Sequence, residues 1–270
     1  MKRKVIVFSM IGLSLVAVLL TALFLLRDTE SDDKIVIPQE QTEDIYLDKT
    51  TLVMRVSESA VITVGNTDDK VSFATEDSAI ATVSDDGTVK AVSVGQTRIT
   101  CKVANKELEC FVFVCRKDAP VSRFTAPDTD DFAVCLENAG GYAGEYAALT
   151  LYLWNKAPLS GFSLTLSYDT ELLSLCKADF IGVGVDVGEA YEADGKLTLA
   201  ALSHKTNGIV TENGAVPAVL LVFKIEGATG KQKLPVKLSL EEGDMFVSVK
   251  EGTEVLLDVK TYDGSIEIKK

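Results

Sequence analysis

The single histidine, His204, stands beside Ser203 in the stretch LAALSHKTNG. A serine nucleophile with an imidazole base is the first chemistry such a pair suggests. Neighbours on an extended chain project to opposite sides, however, and His204 is read as a rim or solvent residue. The carboxylate pairs Asp85/Asp86, Asp130/Asp131 and Glu241/Glu242 have the residue types for acid–base work on glycosides. All three fall in turn or linker stretches, where turn chemistry accounts for them. The five cysteines, at 101, 110, 115, 135 and 176, fit no zinc spacing. No EF-hand loop is present. Gly140-Gly141, Gly182 and Gly184 lack the following helix that a phosphate cradle needs. The segment DTDDF (128–132) reads as solvated linker rather than as calcium ligands. These residues point away from catalysis and from any resident metal or cofactor, and toward binding.

Charge narrows the partner. The formal net charge is −13, which repels nucleic acid phosphates and excludes them as a target. Val5 to Leu26 is an apolar run relieved only by Ser9, Gly12, Ser14 and Thr21. About 20 residues of helix cross a hydrocarbon core, so this run is long enough. MKRK before it and RDTESDDK after it put positive charge inside. TALFLLRD offers no small-x-small cleavage exit, which favours an uncleaved anchor over a signal peptide. Residues 1–27 are thus expected to form one transmembrane helix, with the N-terminus in the cytoplasm and the remainder outside. An acidic tether (28–44) follows.

The elements behind the tether are all β. Short β-rich runs are broken by DDG, ENAGG, NG, EGATG and EGD, and no sustained helical period occurs. Residues 116–131 carry two prolines and a charge run, and read as a linker between domains at 45–115 and 132–270. In VANKEL a hairpin turning on Asn105-Lys106 sets Cys101 opposite Cys110. At a non-hydrogen-bonded pair that separation suits a disulfide; two buried free thiols are the alternative.

In GFSLTLSYDTELLSL (161–175), Phe162, Leu164 and Leu166 alternate with Gly161, Ser163, Thr165 and Ser167. The first set is core. The second makes an outer face without long side chains, on which a partner helix settles with little ordering cost.

Two resemblances join these observations. Residues 45–115, through Ser78, Ile80, Ala81, Val83, Gly87, Val89, Ala91, Gly95 and Ile99, resemble the bacterial immunoglobulin-like domain of group 2. That family's usual Trp is Phe73 here. Residues 132–270 resemble cohesins, the modules that dock enzymes on bacterial cellulosome scaffolds. The likeness is carried by GFSLTLSYD with its Tyr168, Asp169, Leu172 and Leu173 corner, by KLTLAALSHKTNG followed by ENGAVPAVLLVFKI, and by DGSIEI. The implied fold is all-β: an Ig-like sandwich, then a nine-stranded jelly-roll sandwich. The implied partner is a dockerin, which binds its own calcium. The implied platform comprises Gly161, Ser163, Thr165 and Ser167, then Leu199, Ala201 and Ser203, then Ala190 and Glu192, with His204 and Asn207 at the rim. Pleat parity in KLTLAALS is ambiguous, and Thr198, Ala200 and Leu202 are the other choice. The expected function is a non-catalytic, scaffoldin-like surface protein of a polysaccharide-degrading complex. The alternative is an adhesin or polysaccharide-binding sandwich that stacks sugars on Trp154, Tyr152 or Tyr142.

Overall fold

A computed structural model describes residues 44–155, 157, 159–193, 195–203, 208–209, 211–227, 232–250 and 253–269. The expected anchor and nearly all of the acidic tether lie outside the described residues. Among those described, no helix is long and apolar enough to cross a membrane. Every element assigned is a β-strand.

The first module contains β1 (Tyr46–Leu47), β2 (Thr51–Arg55), β3 (Ser59–Val61), β4 (Val64–Gly65), β5 (Val71–Thr75), β6 (Ala81–Val83), β7 (Thr88–Ala91), β8 (Gly95–Val103) and β9 (Lys106–Cys115). One sheet has the order β2-β9-β8-β5 and the facing sheet β3-β7-β6, with β1 and β4 paired beside them. Alternation in RITCKV places Ile99, Cys101 and Val103 in the core with Ile62, Val89, Val112 and Val114. The β6–β7 turn is set by Asp86, whose carboxylate accepts the Ser84 hydroxyl and the Thr88 amide. Gly87 follows at φ 79°, where a Cβ would meet the Ile62 carbonyl, so only glycine fits.

The β8–β9 hairpin corrects the cysteine register. Its loop is Ala104-Asn105, with Val103 paired to Lys106 and the positive φ carried by Ala104. Cys101 therefore faces Leu108 and Cys110 faces Ile99. Cys101 and Cys110 are thus a diagonal pair, whose Cα atoms lie about 7–8 Å apart, outside disulfide reach, and all five cysteines are free thiols. Burial raises Cys110 to about 12 and Cys115 and Cys135 to about 11. An alkylating reagent should modify the half-exposed Cys176 first and the other four only after unfolding. Mass spectrometry without reductant checks this. A native mass lower by one disulfide would contradict it.

The second module contains β10 (Ala133–Leu136), β11 (Asn138–Tyr142), β12 (Tyr146–Trp154), β13 (Gly161–Ser167), β14 (Leu173–Phe180), β15 (Val187–Ala193), β16 (Lys196–Leu202), β17 (Ala215–Ile225), β18 (Gln232–Ser239), β19 (Met245–Lys250), β20 (Thr253–Leu256), β21 (Lys260–Tyr262) and β22 (Gly264–Lys269). One sheet runs β14-β17-β12-β10-β21. The other runs β11-β22-β18-β13-β16-β15, with β19 also beside β13 and β20 beside β19. Among the described residues thirteen strands stand where nine were expected, because two runs divide between the sheets and β15 and β20 are additional strands. FAVCLENAGGY leaves one sheet after β10 and joins the other as β11, and β21 and β22 make the same switch at Asp263. The buried Glu137 sits at the first switch and accepts the Thr150 amide and the Tyr152 hydroxyl. Between the sheets lie Leu149, Leu151 and Leu153 of β12, Leu221 and Phe223 of β17, and Phe162, Leu164 and Leu166 of β13.

Residues 116–131, expected as a loose linker, form a packed strap. Arg116 Nε donates to the buried Glu145 at 2.6 Å, and its guanidinium lies 3.9 Å from the Tyr142 ring centroid. Ser122 donates to the Ala148 carbonyl. Phe124 packs on Tyr152 and Trp154, and Trp154 Nε1 donates to the Thr129 carbonyl. The first module adds Phe113 edge-on to Tyr146, Thr50 to Asp179, and Arg55 to the strap carbonyl of Ala119. On β12 and β14 these contacts meet the outer side of the sheet β14-β17-β12-β10-β21. The strap also reaches the edge strand β11 of the other sheet, through Arg123 to Asn138 and Asp118 to Tyr142, while β22 and β18 separate that edge from β13.

Candidate functional site

Pairing with β13 settles the parity of β16. Phe162 faces Ala201, Leu164 faces Leu199 and Leu166 faces Leu197. Leu199 (0% exposed) and Ala201 (1%) therefore point into the core, which corrects their expected place on the platform. Lys196, Thr198, Ala200 and Leu202 face outward. The correction propagates to β15, where Ala190 pairs with Leu199 and Glu192 with Leu197. Both stand on the core side at the open edge, and Glu192 accepts the Tyr168 hydroxyl at 2.6 Å. Burial first, then this carboxylate, pushes the Tyr168 phenol well above the ordinary range. Val187, Glu189 and Tyr191 take the outer positions. Ser203 lies just past β16 with its amide on the Ser160 carbonyl. His204 and Asn207 lie outside the described residues.

Gly161, Ser163, Thr165 and Ser167 do form the outer row of β13, yet they are not the open surface expected. Ser163 is 3% and Thr165 5% exposed. The Ser163 hydroxyl donates to Asp244 at 2.9 Å, and the Asp244 carboxylate also takes the Glu241 amide. The Thr165 and Thr198 hydroxyls lie 3.5 Å apart. These residues are the floor of the face, with larger side chains beside it at Leu202, Val247 and Met245 toward one end and Lys196 and Lys237 at the other. Gly161 has no room for more: a Cβ there would lie 2.7 Å from Leu202 Cδ2.

The registers define rows that cross the strands. At one end, Val187, Leu202, Gly161, Val247 and Leu256 lie side by side on β15, β16, β13, β19 and β20. This row is apolar throughout; Leu256 is 69% exposed, and Val187, Leu202 and Val247 are half-buried. The next row is Glu189, Ala200, Ser163 and Met245, and the third is Tyr191, Thr198, Thr165 and Ser239. The fourth is Ala193, Lys196, Ser167 and Lys237. Here Lys196 Nζ reaches both Glu241 oxygens at 2.7 Å.

Sequence reasoning missed Val187, Met245, Val247 and Leu256. In MFVSV both parities carry apolar residues, so alternation could not assign a face; only pairing of Phe246 with Phe162 does. With strands about 4.8 Å apart, the apolar row spans about 19 Å, the length of roughly 13 helical residues. Exposed apolar area arranged in this way marks an interaction surface.

Among the described residues no group of three or more His, Cys, Asp or Glu side chains is placed to hold a metal ion. The three aromatic residues of the sugar-binding alternative are engaged by the strap. Phe124 lies 4.5 Å from Tyr152 and 5.9 Å from Trp154, ring centre to ring centre. Tyr142 lies under Arg116 and donates to Asp118. They present no open stacking row.

Residues 41–110 match the family model of the bacterial Ig-like domain (group 2). No curated protein matches the chain. Among solved structures, the chain is similar to cohesins. A non-cellulosomal cohesin from the archaeon Archaeoglobus fulgidus shares 15% identity, over 52% of this chain and 92% of that one, with a TM-score of 0.42. The sixth cohesin of scaffoldin B from Acetivibrio cellulolyticus, solved with a dockerin, shares 21% over 52% and 99%, with a TM-score of 0.45. A type I cohesin–dockerin complex from Clostridium thermocellum gives 14% over 52% and 99%, with a TM-score of 0.44.

Proposed function

We propose that this chain is a non-catalytic surface protein whose second module captures a dockerin-bearing enzyme or scaffold of a polysaccharide-degrading complex. The observation that carries this reading is the apolar row Val187, Leu202, Gly161, Val247 and Leu256, on strands away from the β11 edge that the strap contacts. A helix lying along that row buries its own apolar stripe there, and the small residues of β13 let its backbone approach. The dockerin as partner class comes from the cohesin resemblance of GFSLTLSYD, KLTLAALSHKTNG and DGSIEI. The apolar run 5–26 fixes the chain in the membrane as a single-pass anchor with its N-terminus in the cytoplasm. The tether and the Ig-like module act as a stalk. One such module makes the chain monovalent, and tethering keeps a captured enzyme near the cell.

The full chain, solubilised in detergent and immobilised, is expected to retain dockerin domains in calcium and release them on chelation, because the ion belongs to the partner's loops. Mixing with cellulose and xylan runs alongside. Retention on the polysaccharide with no dockerin bound would replace this reading by the carbohydrate-binding one.

A further inference from the structure

Resting on the docking reading, we propose that the face is polarised along its strands and selects an acidic partner: Ser167, flanked by Lys196 and Lys237, receives carboxylates of the docked domain. The registers place Lys196 and Lys237 on the strands to either side of Ser167, on the same outer face. Two ammonium groups thus bracket one hydroxyl; Lys196 is already paired with both Glu241 oxygens, so Lys237 and the Ser167 hydroxyl are the donors offered to an incoming carboxylate. Glu241 holds Lys196 in place from the side. Lys237 is exposed, and among the described residues no ion pair engages it. This lysine row stands out on a chain of net charge −13.

The opposite end of the face has the reverse character. Glu189 and Asp244 lie in or beside the second row, next to the apolar one, and Asp244 is already committed to Ser163 and Glu241. Rows along a strand are two residues apart, so the apolar and lysine rows are separated by about 20 Å. A partner that seats an apolar surface on the first row and carboxylates about 20 Å away fits in one orientation. Turned end for end, it sets those carboxylates against Glu189 and leaves Lys237 unanswered. Charge complementarity here fixes partner choice and orientation more than affinity.

The test measures affinity of the full chain, in detergent with calcium, for a panel of dockerin domains sorted by the net charge of their helices. The expected binders are the acidic members. Lys237→Glu should weaken them roughly three- to tenfold, Lys237→Arg should leave them unchanged, and added salt should weaken the native chain more than the Glu variant. A Glu→Lys change on the dockerin should restore binding to Lys237→Glu. Dockerins that bind without charge preference and ignore Lys237→Glu would overturn the polarity and leave docking intact. Binding of no dockerin would overturn the docking reading and this proposal with it.

Discussion

Leu256→Asp is expected to abolish dockerin capture while leaving the fold unharmed. Leu256 is 69% exposed at the end of the apolar row, where it sits beside Val247. An exposed substitution of this kind shifts stability by about 0.5 kcal/mol or less. In the complex the same side chain is buried against the partner's apolar stripe, and a carboxylate there is desolvated without a counter-ion. Loss of an apolar contact together with that penalty costs about 3–4 kcal/mol of binding, a fall of about two to three orders of magnitude. Leu202→Asp, from the middle of the same row, should do the same. Ser163→Arg is a poorer probe, because Ser163 is buried and bonded to Asp244 and its replacement disturbs the sheet itself. Calorimetric titration with a retained dockerin measures the loss, and a thermal melt of each variant controls for folding. Unchanged affinity in both leucine variants would show that the partner binds elsewhere.

Glu145→Ala should destabilise the chain and uncouple the two modules. The Glu145 side chain is 7% exposed and accepts both the Nε and the amide of Arg116, the first strap residue. Around this pair, Cys115 donates to the Tyr146 carbonyl, Phe113 packs on Tyr146, and Tyr142 lies under the Arg116 guanidinium. Removing the carboxylate leaves the amide unpaired and the guanidinium without its anchor. Because Arg116 is 45% exposed and regains water, the cost is about 1–3 kcal/mol rather than that of a fully buried pair. For a unit of this size that lowers the midpoint by roughly 3–10 °C. Scanning calorimetry should show one transition for the native chain and two for the variant. A variant that still melts as one unit at the native midpoint would show that the Arg116–Glu145 pair is not what couples the modules.

The division into two β modules was legible because turn residues recur at strand spacing and helical periodicity is missing. The inward face of β13 was legible too, since Phe162, Leu164 and Leu166 alternate cleanly with small residues. The neighbouring strands were not. In KLTLAAL the adjacent Ala200 and Ala201 break the alternation, and in MFVSV both faces are apolar, so each face depended on pairing across the sheet. A one-residue error of parity then exchanged Leu199 and Ala201 for Thr198, Ala200 and Leu202. The strap read as linker because prolines and charges dominate it, while its contacts come from the single residues Arg116, Ser122 and Phe124. The cysteine pairing turned on one loop position, with Ala104 rather than Lys106 in the two-residue turn.

Hydroxyl-radical footprinting of the full chain, free and saturated with a retained dockerin, tests the docking face most directly. Tyr191, Met245 and Leu256 should lose reactivity on binding, while Tyr46 and Val121, exposed on the first module and the strap, keep theirs. Protection at Tyr46 or Val121 with Tyr191, Met245 and Leu256 unchanged would place the partner on the other side of the molecule and contradict the account.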